Sequence, residues 1–262
     1  MMIVVGIVLL LALVAFVYGF FEYYWLRVRT ITNHDFQETH QVPPALKGKR
    51  IVFVSDFQFD HKRRRFLHRA ASQVVSAVNK CDADLVILGG DLIHQKSSDN
   101  ALIFDYIKEI KGEKLAVLGN HDYRDLTCVK AGLAAANVTL LINTTYEFEG
   151  MQIVGVDDYG RGNPQLPKTH SYTLLVSHNP DFFERVKPNT IDIALAGHMH
   201  AGQVTFFGKY APVSNSDYKQ RYVYGLVKRP QGTIYVSSGV GGSVDILPVR
   251  FFARPEIVVL NF

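Results

Sequence analysis

From Met1 to Phe21 no side chain carries a charge, and the run from Ile3 to Phe21 is almost wholly apolar. At about 1.5 Å per residue, such a run spans a hydrocarbon core of about 30 Å as a helix. Glu22 ends it, Tyr23, Tyr24 and Trp25 follow as an aromatic belt, and Arg27 and Arg29 come next. A buried core helix rarely runs so far without a polar face. A cleavable export leader would need basic residues ahead of a shorter apolar run and a small-residue cleavage site after it, and the sequence has no convincing version of these. Residues 1–25 therefore read as an uncleaved membrane anchor. The basic residues on its C-terminal side (Arg27, Arg29, Lys47, Lys49, Arg50) favour a single-pass protein with the remainder in the cytoplasm. The extracytoplasmic side is the alternative.

Residues 26–48 read as a polar connector interrupted by Pro43-Pro44, with Thr30-Ile31-Thr32 as the start of an edge strand. A regular alternation follows over 49–262. Buried strands are predicted over 51–54, 85–88 and 115–118, with helices over 64–78, 101–110 and 125–136. Later segments read mostly as strands with short connectors: 138–142, 146–148, 152–156, 174–177, 191–195, 203–206, 222–227, 233–237 and 257–260. The first half thus resembles βαβ units, and the second half is strand-rich.

Composition adds little to this. With 48% hydrophobic and 20% charged residues among 262, the chain can bury a sizeable core, and its formal charge of +4 is only mildly basic. Cys81 and Cys128 are far apart and outside any C-x-x-C pattern, which argues against a disulfide scaffold or a thiolate metal site. Both read as small core hydrophobes.

The chemistry lies where strands end. Asp56 follows the first predicted strand, Asp91 the second, and Asn120-His121-Asp122 the third; His178-Asn179 and His198-Met199-His200 follow two later ones. In open α/β sheets the C-terminal strand ends share one rim, so these groups converge there. Oxygen ligands mixed with imidazoles suit hard or borderline divalent cations. Taken singly, each has a bland reading as a loop residue or helix cap. Taken together, five strand ends all bearing ligand-type residues do not.

The ordered set Ser55-Asp56-Phe57-Gln58, Gly89-Gly90-Asp91, Gly119-Asn120-His121-Asp122, Ser177-His178-Asn179-Pro180 and Gly197-His198-Met199-His200-Ala201-Gly202-Gln203 resembles the calcineurin-like metallophosphoesterases. Within them it resembles a bacterial membrane-associated or exported branch, and the likeness covers roughly residues 48 to 262. It implies a two-sheet β-sandwich flanked by helices in four α/β/β/α layers. It further implies two divalent ions: manganese is favoured, with iron, zinc or magnesium as alternatives. Asp56, Asp91 and His200 match ligands of the first ion. Asp91 bridges to the second, which Asn120, His178 and His198 complete. His121, oriented by Asp122, stabilises or protonates the leaving oxygen while a bridging hydroxide attacks phosphorus.

Gln58 departs from the family, which usually has His there. It is either a weaker direct ligand, the holder of a metal-bound water, or the mark of a damaged first site. The first two are preferred because every other matched position is intact. His61 is a conceivable substitute, though its spacing suits a solvated loop. The basic run His61-Lys62-Arg63-Arg64-Arg65 is either a solvated helix start or an attractor of phosphate or lipid headgroups. Asp157-Asp158 and the following loop are expected beside the substrate pocket. Phe206-Phe207, Tyr210 and Phe251-Phe252 read as core, with an apolar surface for acyl chains as the alternative.

The expected activity is hydrolysis of a phosphodiester or pyrophosphate, on a substrate that is lipid-linked or near the bilayer. A nuclease or cyclic-nucleotide phosphodiesterase ranks second. Nucleic acid is not an expected partner, because no basic groove interleaved with aromatics is evident. A membrane protein that binds metal without turnover, through Gln58, is the third reading.

Overall fold

The computed structural model describes residues 1–60, 64–244 and 247–262, with side chains of 64–67 left out; the predicted roles of His61 and of the basic run at 61–65 lie outside what is described. Helix α1 (Met2–Tyr24) carries the apolar run and leads into strand β1 (Arg27–Thr32). Then come β2 (Arg50–Val54), α2 (Arg64–Lys80), β3 (Leu85–Leu88), α3 (Ala101–Lys108), β4 (Glu113–Ala116), α4 (Leu126–Ala135) and β5 (Thr139–Leu140). The second half supplies β6 (Thr144–Phe148), β7 (Met151–Gly155), β8 (Thr173–Ser177), β9 (Ile193–Ala196), β10 (Gly225–Arg229), β11 (Gly232–Val236) and β12 (Glu256–Asn261).

Two six-stranded mixed sheets result, ordered β1-β12-β2-β3-β4-β5 and β10-β11-β9-β8-β7-β6. Strands such as β3 and β9 are apolar at every position because both of their faces are covered. Ile51, Phe53, Ile87 and Leu115 of one sheet meet Ile153, Leu174, Val176 and Leu195 of the other in a central core. Val52, Val54, Val86 and Leu88 face the opposite way, onto Val74, Val78, Ile103, Ile107 and Leu133 of the helices α2, α3 and α4. The outer face of the second sheet is covered by Phe182, Phe183 and Val186, so the fourth layer is a 3₁₀ segment at Pro180–Arg185 rather than a long helix. Pro180 at its start and Pro188 shortly after its end leave little room to propagate a helix.

Three sequence expectations change. The edge strand is longer than Thr30-Ile31-Thr32: β1 begins at Arg27 and pairs in parallel with β12 along its whole length. Residues 203–206 form no strand, only the single bridges Val204 to Phe251 and Phe206 to Tyr210, because Gln203 has φ 59° and its side-chain amide donates to the Val249 carbonyl. Phe206, Phe207 and Tyr210 are surface rather than core, at 62%, 77% and 52% exposure, and Phe252 is exposed as well. Cys81 and Cys128 are free thiols, part-buried against the helical core.

Helix α1 is pinned to the sandwich at its C-terminal end. The buried Glu22 carboxylate accepts hydrogen bonds from the backbone N–H of Phe252 (2.7 Å) and Ala253 (2.9 Å). Arg250 N–H donates to the Gly19 carbonyl, Tyr18 packs edge-on against Phe251, and the Arg254 guanidinium lies 4.1 Å over the Trp25 ring. The remaining turns, from Met1 through Val14, are exposed.

Candidate metal centre and active site

Strands β2, β3 and β4 of one sheet and β8 and β9 of the other end at the same edge of the sandwich. Their extensions are stitched together by backbone hydrogen bonds: Asp56 N–H to Gly90 O, Gln58 N–H to Asp91 O, and Gly197 N–H to His178 O. The turns are tight enough to force left-handed backbone on residues that seldom adopt it: Asp56, Gln58, Asp91, His198 and His200 all have φ between 44° and 71°. Packing that holds so many non-glycine residues in this region fixes where their side chains point. Gly119 is required by closeness, since a Cβ there would lie 2.2 Å from Asp91 Oδ1.

Asp91 is the hub. Its Oδ2 lies 3.2 Å from Gln58 Nε2, 3.4 Å from His178 Nε2 and 3.9 Å from His121 Nε2, while Oδ1 accepts the His121 backbone N–H at 2.8 Å. Potential ligand atoms of Asp91, His178 and His198 lie within 4.8 Å of one another. On the other side, His200 Nε2 is 3.6 Å from Asp56 Oδ1 and 2.9 Å from Gln58 Nε2. The His198 backbone N–H in turn bonds both oxygens of Asp56. Asn120 lines a cleft together with His198. The fold therefore brings Asp56, Gln58, Asp91, His178, His198 and His200 together and places Asn120 on the cleft that His198 lines.

The donor set fits cations. Asp56 and Asp91 are fully buried, and two buried carboxylates this close call for compensating positive charge. His178 Nδ1 lies 2.8 Å from the Gly89 carbonyl and donates to it, which aims Nε2 at the cluster. That Nε2 and the buried Asn120 Oδ1 make no hydrogen bond, as expected of atoms that serve a cation instead. Burial pushes the Asp56 carboxyl up to about 6, against the pull of the His178 charge. Burial acts likewise on Asp91, but the charge of His178 beside it holds its carboxyl well below the usual carboxylate range. Burial also opposes a charge on His178, and Asp91 more than reverses this, raising it well above 6.5. Burial and the His178 charge hold His198 down at about 4, and burial with the Arg250 charge keeps His200 well below its ordinary value.

One expected role is corrected. Asp122 does not orient the His121 ring: its carboxylate accepts backbone N–H groups from Asp91, Leu92, Ile93 and Gly119. The His121 ring is instead held through Nδ1, 2.6 Å from the His94 carbonyl, and the His94 ring lies against it with centroids 4.8 Å apart. His94 escaped the sequence reading although it stands three residues after Asp91. Arg250 carries no role in the sequence reading. Fully buried, it donates to the carbonyls of Ser238, Gly239, Gly241 and Ala253, and so shapes the loop that closes over Asp56. An arginine in a C-terminal segment offers no sequence signal for a guanidinium wrapped by backbone carbonyls.

Two clefts flank the cluster. One, of about 500 Å³, is lined by Gln58, His121, Met199, His200, Val204 and Val213 among others. The second, of about 310 Å³, is polar and is lined by Asn120, Arg161, Asn179, His198, Asn215 and Asp217 among others. The loop expected beside the pocket does wall this polar cleft. Asp158 Oδ2 accepts the N–H groups of Gly160 and Arg161 and so folds the loop.

Such a rim of carboxylates and imidazoles between two stacked mixed sheets defines a metal-dependent phosphoester hydrolase. The profile of the calcineurin-like phosphoesterases matches residues 49–202, more than half of the chain, and the chain belongs to that family. It is 26% identical to the uncharacterized metallophosphoesterase YkuE of Bacillus subtilis, over 93% of this chain and 89% of that one. It is also 28% identical to the phosphodiesterase YaeI of Escherichia coli, over 81% of each. A metallophosphoesterase of Helicobacter pylori is 32% identical over 72% of this chain, which spans about half (53%) of that protein's length.

Proposed function

We propose that the protein is a membrane-anchored hydrolase of phosphodiester or pyrophosphate bonds, acting with two divalent ions, manganese foremost, on a substrate resident in or near the bilayer. The observation that carries this reading is the position of Asp91, buried and approached by Gln58, His178 and His121 within 3.9 Å. Asp56, Gln58, Asp91 and His200 would hold one ion, and Asp91, Asn120, His178 and His198 the other. When bound, the ions supply Lewis-acid charge to the phosphoryl oxygens and lower the pKa of water.

The chain's own residues do the rest. His178 and Asp91 present their lone pairs in fixed orientations, set by the Gly89 carbonyl and the His121 N–H. With Nδ1 committed to His94, His121 keeps Nε2 for the substrate, where it can donate a hydrogen bond or a proton to the leaving oxygen. The Gln58 amide meets both Asp91 and His200, a position suited to a weak oxygen ligand once the amide turns over. This favours direct ligation over a damaged site.

The 23-residue apolar α1 supports the anchor, being long enough to cross a bilayer. The basic residues that follow it favour a cytoplasmic active site. A bilayer tether serves a lipid-linked substrate by raising local concentration. The reading is tested with full-length protein in detergent and bis(p-nitrophenyl) phosphate. Manganese-dependent hydrolysis should disappear with chelator, with Asp91→Asn and with His121→Ala. Tight manganese binding without turnover on any phosphoester would replace the enzyme with a metal-binding membrane protein.

A further inference from the structure

Between α1 and the sandwich lies a cavity of about 320 Å³ whose lining presents only apolar atoms, from Ala15, Phe16, Val204, Phe206, Pro212 and Phe251 among others. One wall belongs to the membrane helix itself. Ala15 stands seven residues before Glu22, about 10 Å deeper along the helix axis, so the cavity opens at the depth of the lipid chains. Apolar cavities of this kind stay dry and take up apolar groups.

Two further facts choose the occupant. Val204 and Pro212 line both this cavity and the cleft that reaches Gln58, His121 and His200, so the two adjoin across apolar side chains. The adjoining cleft around Arg161, Asn179 and Asn215, which shares Asn215 with the cleft at Gln58, is polar. The site is therefore apolar toward α1 and polar toward Arg161.

We propose that the cavity between α1 and the 204–212 segment seats the alkyl or acyl chain of the substrate, placing its phosphate at the Asp91 cluster and its polar head in the Arg161 cleft. This rests on the phosphoesterase reading and extends it: the substrate is an amphiphile, and α1 is part of its binding site as well as an anchor.

The test uses full-length protein in phosphatidylcholine nanodiscs with manganese, and two substrates that differ only in chain: hexadecyl and methyl p-nitrophenyl phosphate. Hydrolysis is read from p-nitrophenol and p-nitrophenyl phosphate together. Filling the cavity with Ala15→Trp, or charging its rim with Phe206→Glu, should cut hexadecyl turnover by at least about tenfold, as expected when a few methylenes lose their burial, and leave methyl turnover within about twofold. No loss on either substrate, or equal loss on both, overturns the proposal. If the wild type hydrolyses neither, the phosphoesterase reading falls, and the cavity is judged by photolabelling in the same discs with hexadecyl phosphate bearing a terminal diazirine. Labels at 204–206 and 249–251 that vanish in Ala15→Trp support a chain site; labels confined to residues 2–14 overturn it. Labelling lost in Ala15→Trp while hexadecyl turnover stays at wild-type level assigns the cavity to a bilayer lipid and also overturns it.

Discussion

Replacing Asp122 by Asn separates two roles that the position could have. The carboxylate accepts four backbone N–H groups: Oδ2 takes Asp91 and Gly119, both at 2.9 Å, and Oδ1 takes Leu92 at 2.8 Å and Ile93 at 3.3 Å. An amide keeps one accepting oxygen and turns an N–H₂ group toward the other pair. The amide would settle with its nitrogen toward Leu92 and Ile93, the pair that includes the longest of the four bonds. One good and one weak charge-assisted bond are then lost, each worth about 1.5–3 kcal/mol at full strength. A cost of about 1–3 kcal/mol follows, because the neutral amide also escapes the burial and Asp91 charge that push the carboxyl up to about 7, or roughly 2–12 °C in Tm. The same N–H groups fix the turn that carries Asp91, so manganese affinity should fall alongside. The assay is thermal denaturation at pH 8 with chelator, paired with a manganese titration. The His121 ring does not depend on Asp122, so the pH profile of the remaining activity should keep its shape. An unchanged Tm with reduced turnover and a shifted pH profile would refute this and restore Asp122 as the orienter of His121.

Three other outcomes are expected. Gln58→His should tighten binding at the weaker metal site about tenfold in a manganese or zinc titration, since imidazole is a better donor than an amide; unchanged binding would place Gln58 outside the coordination. At pH 7 metal binding should release about one proton, because the raised His178 must give one up while His198 and His200 are already neutral. Affinity then rises with pH until His178 is deprotonated in the metal-free protein, and calorimetry in buffers of differing ionisation enthalpy reads the release. Glu22→Ala leaves the Phe252 and Ala253 N–H groups without acceptors in a buried junction and should cost about 2–4 kcal/mol in denaturation; a neutral result would show that α1 is not docked on the sandwich.

Residue order alone determined the long apolar N-terminal helix, the alternation of strands and helices, and the set of ligand-type side chains. These are local properties. A long apolar run, a period of two or of about 3.6, and a polar residue after a buried strand can each be read within a short window. Only the tertiary structure decided which carbonyl orients His121, why Asp122 is tied to backbone, and that Arg250 shapes the loop over Asp56. Those partners lie 27 residues apart for His121 and His94, and about 30 for Asp122. Their pairing depends on how strands stack, which no window contains. The aromatic residues near 206 show the same limit. Their hydrophobicity suggests core, yet they stand exposed beside α1, because composition does not say which apolar residues the fold leaves on its surface.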